Sequence, residues 1–583
     1  MNEQERLAQE LKGFKASAES VGNEVFYGPR REAWMEAAKR ELDNMTVHQK
    51  VWIEVRKNHL HEDLGLSPDV VLPRPIPTQL VNTLKPVNDP GTNMTDEPKV
   101  RLVACGNHQN PKDVPEDLST NNVDMYVLRT MAKETALHPD WVMGAGDVSA
   151  AFLNTPLGGN ELILLEPPGI LKKLGLLASD TVYAPVRAIY GLKRSPADWS
   201  KHRDEVIAKA KLKNHKGQDI SCIRVSDGVW KLVCQDKLVG IATMYVDDCL
   251  VVGQASVVEA FLSYVCSQWR TKLQGFLARD LGTTLSCQGV SMSRKTSLTF
   301  LGLEISFHEG GVQLSQRRWI LQEINRRGWI HLRGTQALPQ LEMGDAEEVD
   351  EQHARALAEA RSEIGALLWV GVRSRPDLLA AVSMGASMMH RRPAAVKKFT
   401  TGLWRYLRGT LHETLFYGPE GDGNELTFAS DASFAPEASR SRSGGCIQYA
   451  GSVIHWYSTR QTVTAWSVCE AETDGLAEAL SQGIRILYVL KDLLHKDLQG
   501  CLTGDNSASI ILAGQEKMDF GKWRTRAFAL RCSWCRDQLH LERIPIRHTP
   551  GQFLVADLLT KILPKTRLKQ LREMAGVRPA GSE

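Results

Sequence analysis

The sequence predicts a multidomain chain of combined α/β and α+β class, and three observations carry that reading. Between Lys99 and about Gly253, apolar runs of strand length alternate with helical patterns. From 254 to 420 the chain is richer in helix, and from about 425 a new series of strands and helices begins, with the order of a mixed α/β layer fold. A length of 583 residues corresponds to roughly three to five domains of ordinary size.

Composition supports this and narrows the partners only slightly. Hydrophobic residues at 43% and charged residues at 24% are globular proportions, enough for more than one core. Lys+Arg 71 against Asp+Glu 68 leaves a net charge of +3, so bulk charge neither requires nor excludes nucleic acid and local clustering must decide. The 11 cysteines are odd in number and lack framework spacing. With the charged start MNEQERLAQELKGFKAS, which has no apolar signal core, they predict a reduced, intracellular chain. Cys532 and Cys535 form a CxxC with no second ligand pair at zinc spacing and read as core cysteines. No run approaches the ~18 apolar residues of a membrane span, so a soluble protein is expected.

Taken in order, residues 1–60 read as helical, because Trp34, Ala37, Leu42, Met45 and Trp52 fall at mostly helical spacing between Arg31 and Glu54. The stretch from Pro73 to Pro98 holds LPRPIPT and NDPGT, which predicts a loop and excludes regular helix or a central strand. Val100–Ala104 and Trp141–Val148 read as strands. Val239–Val246 and Cys249–Val252 surround an acidic break, the pattern of a hairpin with carboxylates at its turn, although Asp-Asp is not a favoured two-residue loop. The acidic stretch at 342–363 reads as a linker running into a helix. Arg361, Arg373, Arg375, Arg391, Arg392, Lys397, Lys398, Arg405 and Arg408 gather beyond it, as a solvated helix face or as a phosphate-tracking surface. In the last unit, Leu426–Ser433 is a strand and the Ala450-Gly451-Ser452 turn joins two more. Residues 471–494 form a helix, Leu502–Asp505 a short strand, and Ile544 and Ile546 lie on a final strand before a helix start at Ala556-Asp557.

Tyr245-Val246-Asp247-Asp248 is the central chemical signal. Two adjacent carboxylates inside an apolar hairpin are costly unless something neutralises them. A tight turn can bring both to one edge, where hard divalent cations find the oxygen ligands they prefer. Nucleotidyl transfer by two metals needs a further carboxylate from elsewhere in the chain, and Asp147, at the end of its apolar strand, is the candidate. Alone it would read as a helix cap.

The segments KVRLVACGNHQ (99–109), DVSAAFLNTPL (147–157), AIYGLKRSPADWS (188–200) and MYVDDCLVVG (244–253) resemble the ordered motifs of copia-type LTR retrotransposon reverse transcriptases. REAWMEAAKREL (31–42), FLGLEI (300–305), LSQRRWI (314–320), RSEIGALLWVGVRSRPDLLAAV (361–382) and WRYLRGT (404–410) extend the resemblance, which runs from about residue 30 to about 570. It implies a right-hand polymerase with fingers, palm and thumb, followed by a ribonuclease H-like mixed-sheet domain. The implied divisions are an N-terminal flank (1–30), fingers and palm (31–255), palm end, thumb and connection (256–420), the ribonuclease H-like domain (421–565) and a C-terminal tail (566–583).

By the same resemblance, Asp147, Asp247 and Asp248 are the metal-binding catalytic set. Phe152 packs against the incoming sugar and selects dNTPs, and Lys99 and Arg101 are candidates for the triphosphate. Gly191 to Pro196 shapes the nucleotide pocket. Arg194 stands where the family usually has Gln and adds a charge near the nucleotide; Asn107-His108 also departs from the family's usual Gly-Tyr-x-Gln pattern. Beside such a site the arginine cluster reads as phosphate-tracking.

Farther on, ASDASFA (429–435), CEAETDGLAEAL (469–480), TGDNSASI (503–510) and VADLLTK (555–561) place Asp431, Glu472, Asp505 and Asp557 in the order of the ribonuclease H carboxylates of copia-type elements. Glu472 matches the family's metal-binding Glu better than Glu470 does, and His548 reads as a solvated loop histidine. Each acid alone could be a helix-start or turn residue; the set in order could not. The resemblance implies two Mg²⁺ or Mn²⁺ ions per active site. It also implies RNA template, DNA primer, RNA–DNA hybrid and dNTPs as partners, the capsid and integrase products of the same element as companions, and no membrane. The implied location is cytoplasmic particles and the nucleus. The competing reading is a catalytically impaired or domesticated nucleic-acid-binding relic.

Overall fold

The computed structural model describes residues 19–87, 95–110, 118, 120, 123–158, 162–436, 440–515 and 528–581. Its first unit packs helix α1 (Arg31–Asp43) against a six-stranded sheet. The sheet's long hairpin joins β1 (Ile76–Val87) to β2 (Thr95–Ala104), antiparallel from Thr78↔Ala104 to Val87↔Thr95. The expected loop at 73–98 is therefore largely strand. Pro77 and Pro86 sit next to the two ends of β1, and the eight residues between them carry no proline, so their N–H groups remain available to pair. The helix expected to reach Glu54 also stops early. α1 passes into a single π turn at Asn44–His48, and Trp52–Arg56 is a strand paired with Thr181–Pro185, Trp52 stacking on Tyr183 at 4.0 Å between centroids. Buried Trp52 satisfies a helical period and a strand face equally well, and the sheet partner decides between them.

The second unit is a seven-stranded sheet. In spatial order it runs Thr271–Leu277, Trp141–Val148, Asp248–Gln254, Lys237–Tyr245, Val229–Cys234, Asp219–Ser226 and Leu212–Lys213. Helix α2 (Met125–Leu137) precedes this sheet in sequence; the site strands here are β3 (Trp141–Val148), β4 (Lys237–Tyr245) and β5 (Asp248–Gln254), and α3 (Ser195–Ala208) packs against the Asp219–Ser226 strand. Their core includes Val142, Trp199, Trp230, Met244, Val251 and Phe261.

A five-stranded sheet that includes β6 (Leu303–His308) and Gly311–Ser315 follows, with helices α4 (Glu351–Gly371), α5 (Pro376–Met388) and α6 (Pro393–Gly409). The Asp350 side chain caps α4 by accepting from the His353 N–H, which makes the acidic linker-to-helix reading correct. Residues 577–579 pair with Glu413–Tyr417 of this sheet, so part of the C-terminal stretch is woven into it. The arginine cluster divides. Arg375 is buried in a pair with Asp377, Arg373 donates to the Leu301 carbonyl, and Arg408 donates to the Leu332 carbonyl; these three hold the fold together and do not track phosphate.

The last unit orders its sheet β9-β8-β7-β10-β11: β7 (Glu425–Ser433), β8 (Arg442–Tyr449), β9 (Ser452–Arg460), β10 (Gln499–Gly504) and β11 (Ile546–His548). The first three are antiparallel, and β10 and β11 are added in parallel, with α7 (Val468–Leu494) packed on β7. Ile544 precedes β11 rather than lying on it. Helix α2 ties this unit to the preceding one. Buried Arg129 donates to the Ile454, Val372 and Arg373 carbonyls and lies 3.5 Å from the Trp456 ring centroid, and Lys133 donates to Gly418 and Glu420 carbonyls. Among the described residues the 11 cysteines are free thiols, and no helix is long and apolar enough to cross a membrane.

Candidate functional site

The first carboxylate set is fixed by strand register. β3 and β5 are antiparallel with Asp147 directly opposite Asp248. β4 and β5 pair up to Tyr245↔Asp248, so the two-residue loop is Val246-Asp247 rather than Asp-Asp. Val246 has φ +54°, a left-handed conformation that a β-branched residue adopts only under constraint. The constraint is visible. Trp199 Nε1 donates to the Val246 carbonyl at 2.7 Å, Arg203 donates to the Met244 carbonyl at 3.1 Å, and the Val148 N–H donates to the Asp247 carbonyl at 2.8 Å.

Crowding these acids has an electrostatic consequence. Burial, then Asp247 and Asp147, push the Asp248 carboxyl up to about 7. Burial and Asp247 raise Asp147 too, against the opposing pull of Lys272, Lys85 and Lys99. Lysines of the β1–β2 strand pair thus act on these acids. Lys99 is half-buried, held below the ordinary lysine range by burial and by Lys85 and Arg101. Arg101 is exposed, 5.4 Å from the Tyr190 ring centroid, and Tyr190 in turn meets Phe152 edge-on at 5.7 Å.

Gly191 has φ +89°, and a Cβ there would lie 2.0 Å from the Ala104 carbonyl oxygen. That contact clamps the 190–194 loop to the end of β2, helped by the Ala104 N–H donating to Tyr190 O and the Lys193 N–H donating to Gln109 Oε1. Arg194 does not present a free charge to a nucleotide. Its guanidinium is buried and donates to Asp198 one helical turn on, Nε to Oδ2 at 2.8 Å. The expectation of an added charge is corrected by this neutral pair.

The second set comes from four separate elements. Asp431 lies on β7 opposite Gly444 of β8. Glu472 stands in the first turns of α7, Asp505 directly follows β10, and Asp557 belongs to a 3₁₀ turn at Val555–Leu559. That turn reaches the sheet because position 444 is glycine, where a Cβ would sit 2.6 Å from Thr560 Cγ2. Among the described residues, Asp431, Glu472 and Asp505 each bring a carboxylate oxygen within 4.8 Å of the other two. Burial and the neighbouring acids push Asp431 up to about 6 and Glu472 up to about 8. Glu470 is used differently: it accepts from the Trp466 N–H at 2.7 Å while Ser467 caps the helix through the Glu470 N–H. Asp557 stands beside this group, its oxygens taken by Lys561 at 2.6 Å and Arg567 at 3.5 Å. His548 accompanies the site, its ring bonded to the Asp505 carbonyl at 3.0 Å.

Both sets offer only hard oxygen donors. Acids held above their ordinary range by burial and by one another are acids whose charges call for a cation, so the residues fit Mg²⁺ or Mn²⁺. Two kinds of participant escaped the sequence reading. Trp199 holds the turn yet reads as an ordinary core aromatic, and Lys561 gave only a lysine four residues after an aspartate as its signal.

Residues 68–336 match the family described as reverse transcriptase (RNA-dependent DNA polymerase). This segment is a reverse transcriptase domain. Over 552 residues the chain is 23% identical to the Transposon Ty1-NL2 Gag-Pol polyprotein of Saccharomyces cerevisiae, covering 93% of this chain and 29% of that protein. The Transposon Ty1-DR5 Gag-Pol polyprotein of the same yeast is 24% identical over 489 residues, covering 81% of this chain and 26% of that protein. The chain thus spans under a third of the length of these curated relatives, and its likeness is to copia-type LTR retrotransposon Pol polyproteins. Among solved structures, the foamy viral protease-reverse transcriptase in complex with double-stranded DNA is similar over 89% of this chain and 70% of its own, with 12% identity and a TM-score of 0.47. RNase H1 of Halobacterium salinarum is similar over 23% of this chain and 92% of its own, with 16% identity and a TM-score of 0.17.

Proposed function

We propose that the chain is an RNA-directed DNA polymerase and a ribonuclease H, which copies retrotransposon RNA into DNA and hydrolyses the RNA of the resulting hybrid. The observation that carries the reading is the register placing Asp147 opposite Asp248, with Asp247 at the turn between, in a domain of reverse transcriptase family. Asp147, Asp247 and Asp248 would hold two divalent cations at the polymerase centre, and Asp431, Glu472, Asp505 and Asp557 two at the nuclease centre. Bound there, the ions supply charge neutralisation at the attacking and leaving oxygens of phosphoryl transfer.

The remaining roles belong to the chain. Lys99 and Arg101 bind the dNTP triphosphate from the fingers side. Phe152, braced by Tyr190, packs against the sugar and excludes a 2′-hydroxyl. Gly191 keeps the pocket loop against β2. Residues 31–255 act as fingers and palm, 256–420 as palm end, thumb and connection, and 421–565 as the nuclease. RNA template, DNA primer and dNTPs are the substrates, and the capsid and integrase products of the element the companions, in cytoplasmic particles and the nucleus.

The test is primer extension by the full chain on a primed RNA template with dNTPs and Mg²⁺. Extension by the wild type and its loss in Asp248→Asn is the expected result. A folded wild type that binds primed template without extending it would overturn the reading in favour of an inactive relic.

A further inference from the structure

Lys561 occupies a position that nothing in the proposed chemistry requires. Its ammonium lies 2.6 Å from Asp557 Oδ1 and 3.4 Å from Asp431 Oδ2, bridging two of the four nuclease acids. Thr560, fully buried, hydrogen-bonds the same Asp431 oxygen, and its N–H donates to the Asp557 carbonyl at 3.4 Å. The backbone placing Lys561 is therefore anchored at both acids. Arg567 approaches the other Asp557 oxygen at 3.5 Å. Among the described residues, Glu472 and Asp505 make no such ion pair, although the Lys561 charge also acts on Glu472; their ligand oxygens lie within 4.8 Å of one another and of Asp431. The Lys561 side chain keeps 43% of its surface exposed, so it can swing into solvent without unpacking the fold.

Resting on the nuclease reading above, we propose that Lys561 is a built-in counter-cation that makes the two nuclease metal positions unequal. Asp431, Glu472 and Asp505 would hold one divalent ion, and Asp431 with Asp557 would hold a second only once the Lys561 ammonium has swung away. Lys561 is thus a positioning residue: it holds Asp557 in place beside Asp431 and sets the concentration at which the second ion loads. Two like charges cannot share one carboxylate pair at this distance without a large Coulomb cost, so displacement and loading are coupled.

The experiment uses the full chain carrying Asp247→Asn and Asp248→Asn, which removes the polymerase ligands from the titration. Mn²⁺ is titrated in, with free Mn²⁺ read by electron paramagnetic resonance and heats by calorimetry; thermal melting checks each variant. The proposal expects one tighter ion and one weaker. Lys561→Met should tighten the weaker ion by on the order of tenfold, and Lys561→Arg, which keeps the charge, should preserve the inequality. Two equal sites in the parent, or a second ion unchanged or weakened in a folded Lys561→Met chain, would overturn it. If Lys561→Met does not fold, loss of the inequality in Lys561→Arg would overturn it instead. Glu472→Gln separates the two ideas: if it leaves the tighter ion unaffected, the nuclease assignment fails, whatever Lys561 does.

Discussion

The two carboxylate sets, proposed above for polymerase and nuclease chemistry, are built in opposite ways. The polymerase set is a product of local geometry: three acids on two antiparallel strands and one turn, aligned by backbone register and held by Trp199 and the Val148 N–H. The nuclease set is a product of tertiary packing, with acids from a strand, a helix, a strand end and a 3₁₀ turn. Its neutralisation is partly built in, through Lys561 and Arg567, whereas Lys272, Lys85 and Lys99 act on Asp147 only through longer-range charge. The contrast teaches that a turn can be read from a few adjacent residues, while a cluster gathered from four elements depends on what packs around it.

The largest expected effect comes from breaking the first set's surroundings alone. Gly191→Ala puts a Cβ 2.0 Å from the Ala104 carbonyl oxygen at a left-handed φ. It should destabilise the contact between the 190–194 loop and β2 by at least ~2 kcal/mol and suppress extension. RNA cleavage by the distant nuclease should survive, as measured by denaturant unfolding and by the two activity assays. Next, Arg194→Gln, which restores the family's usual residue, leaves the largely buried Asp198 carboxylate with the Gly158 N–H but without its cation. The expected cost is ~1–3 kcal/mol, largely recovered in the double variant Arg194→Gln with Asp198→Asn. A gain in both stability and extension from the single change would contradict the pairing account.

Smaller again is Trp199→Phe, which removes one hydrogen bond to the Val246 carbonyl. About 1 kcal/mol of stability is expected to go, with kcat for extension falling more than KM because the turn carrying Asp247 loosens. The subtlest test concerns pH. Asp248, Asp431 and Glu472 have folded-state values raised to about 7, about 6 and about 8. A raised carboxyl favours the fold fully below its unfolded value and loses that contribution as pH rises through its folded value. Without divalent ions, stability should therefore decline from about pH 4 to pH 8 on this account, and Mg²⁺ should restore it at the alkaline end. Glu472→Gln should flatten the upper part of that decline, measured as melting temperature against pH.

How much of this was legible in the sequence follows from the same contrast. Strand β3 was readable with its exact bounds because Trp141–Val148 is one apolar run. The strands of the last unit were readable in place from their apolar runs and the Ala450-Gly451 turn, although Ile544 and Asp505 fall just outside the strands expected to hold them. Strand β1 was not, since Pro77 and Pro86 look like breakers unless their places at the ends of the ladder are known. The strand at Trp52–Arg56 was hidden by a helical period inherited from α1. All seven acids were nameable in advance, but the Arg194–Asp198 pair was not recognised. That Arg373, Arg375 and Arg408 serve the fold became visible only from their buried partners.

The central claim is that one chain carries two independent carboxylate centres. The most direct measurement follows primer extension and hybrid RNA cleavage together in wild type, Asp247→Asn and Asp431→Asn full-length chains, with labelled DNA primer and labelled RNA in one reaction. The account predicts that Asp247→Asn loses extension and still cleaves a preformed hybrid, while Asp431→Asn extends normally and leaves the RNA intact. Loss of both activities in either folded variant, or extension that survives Asp247→Asn, would contradict it.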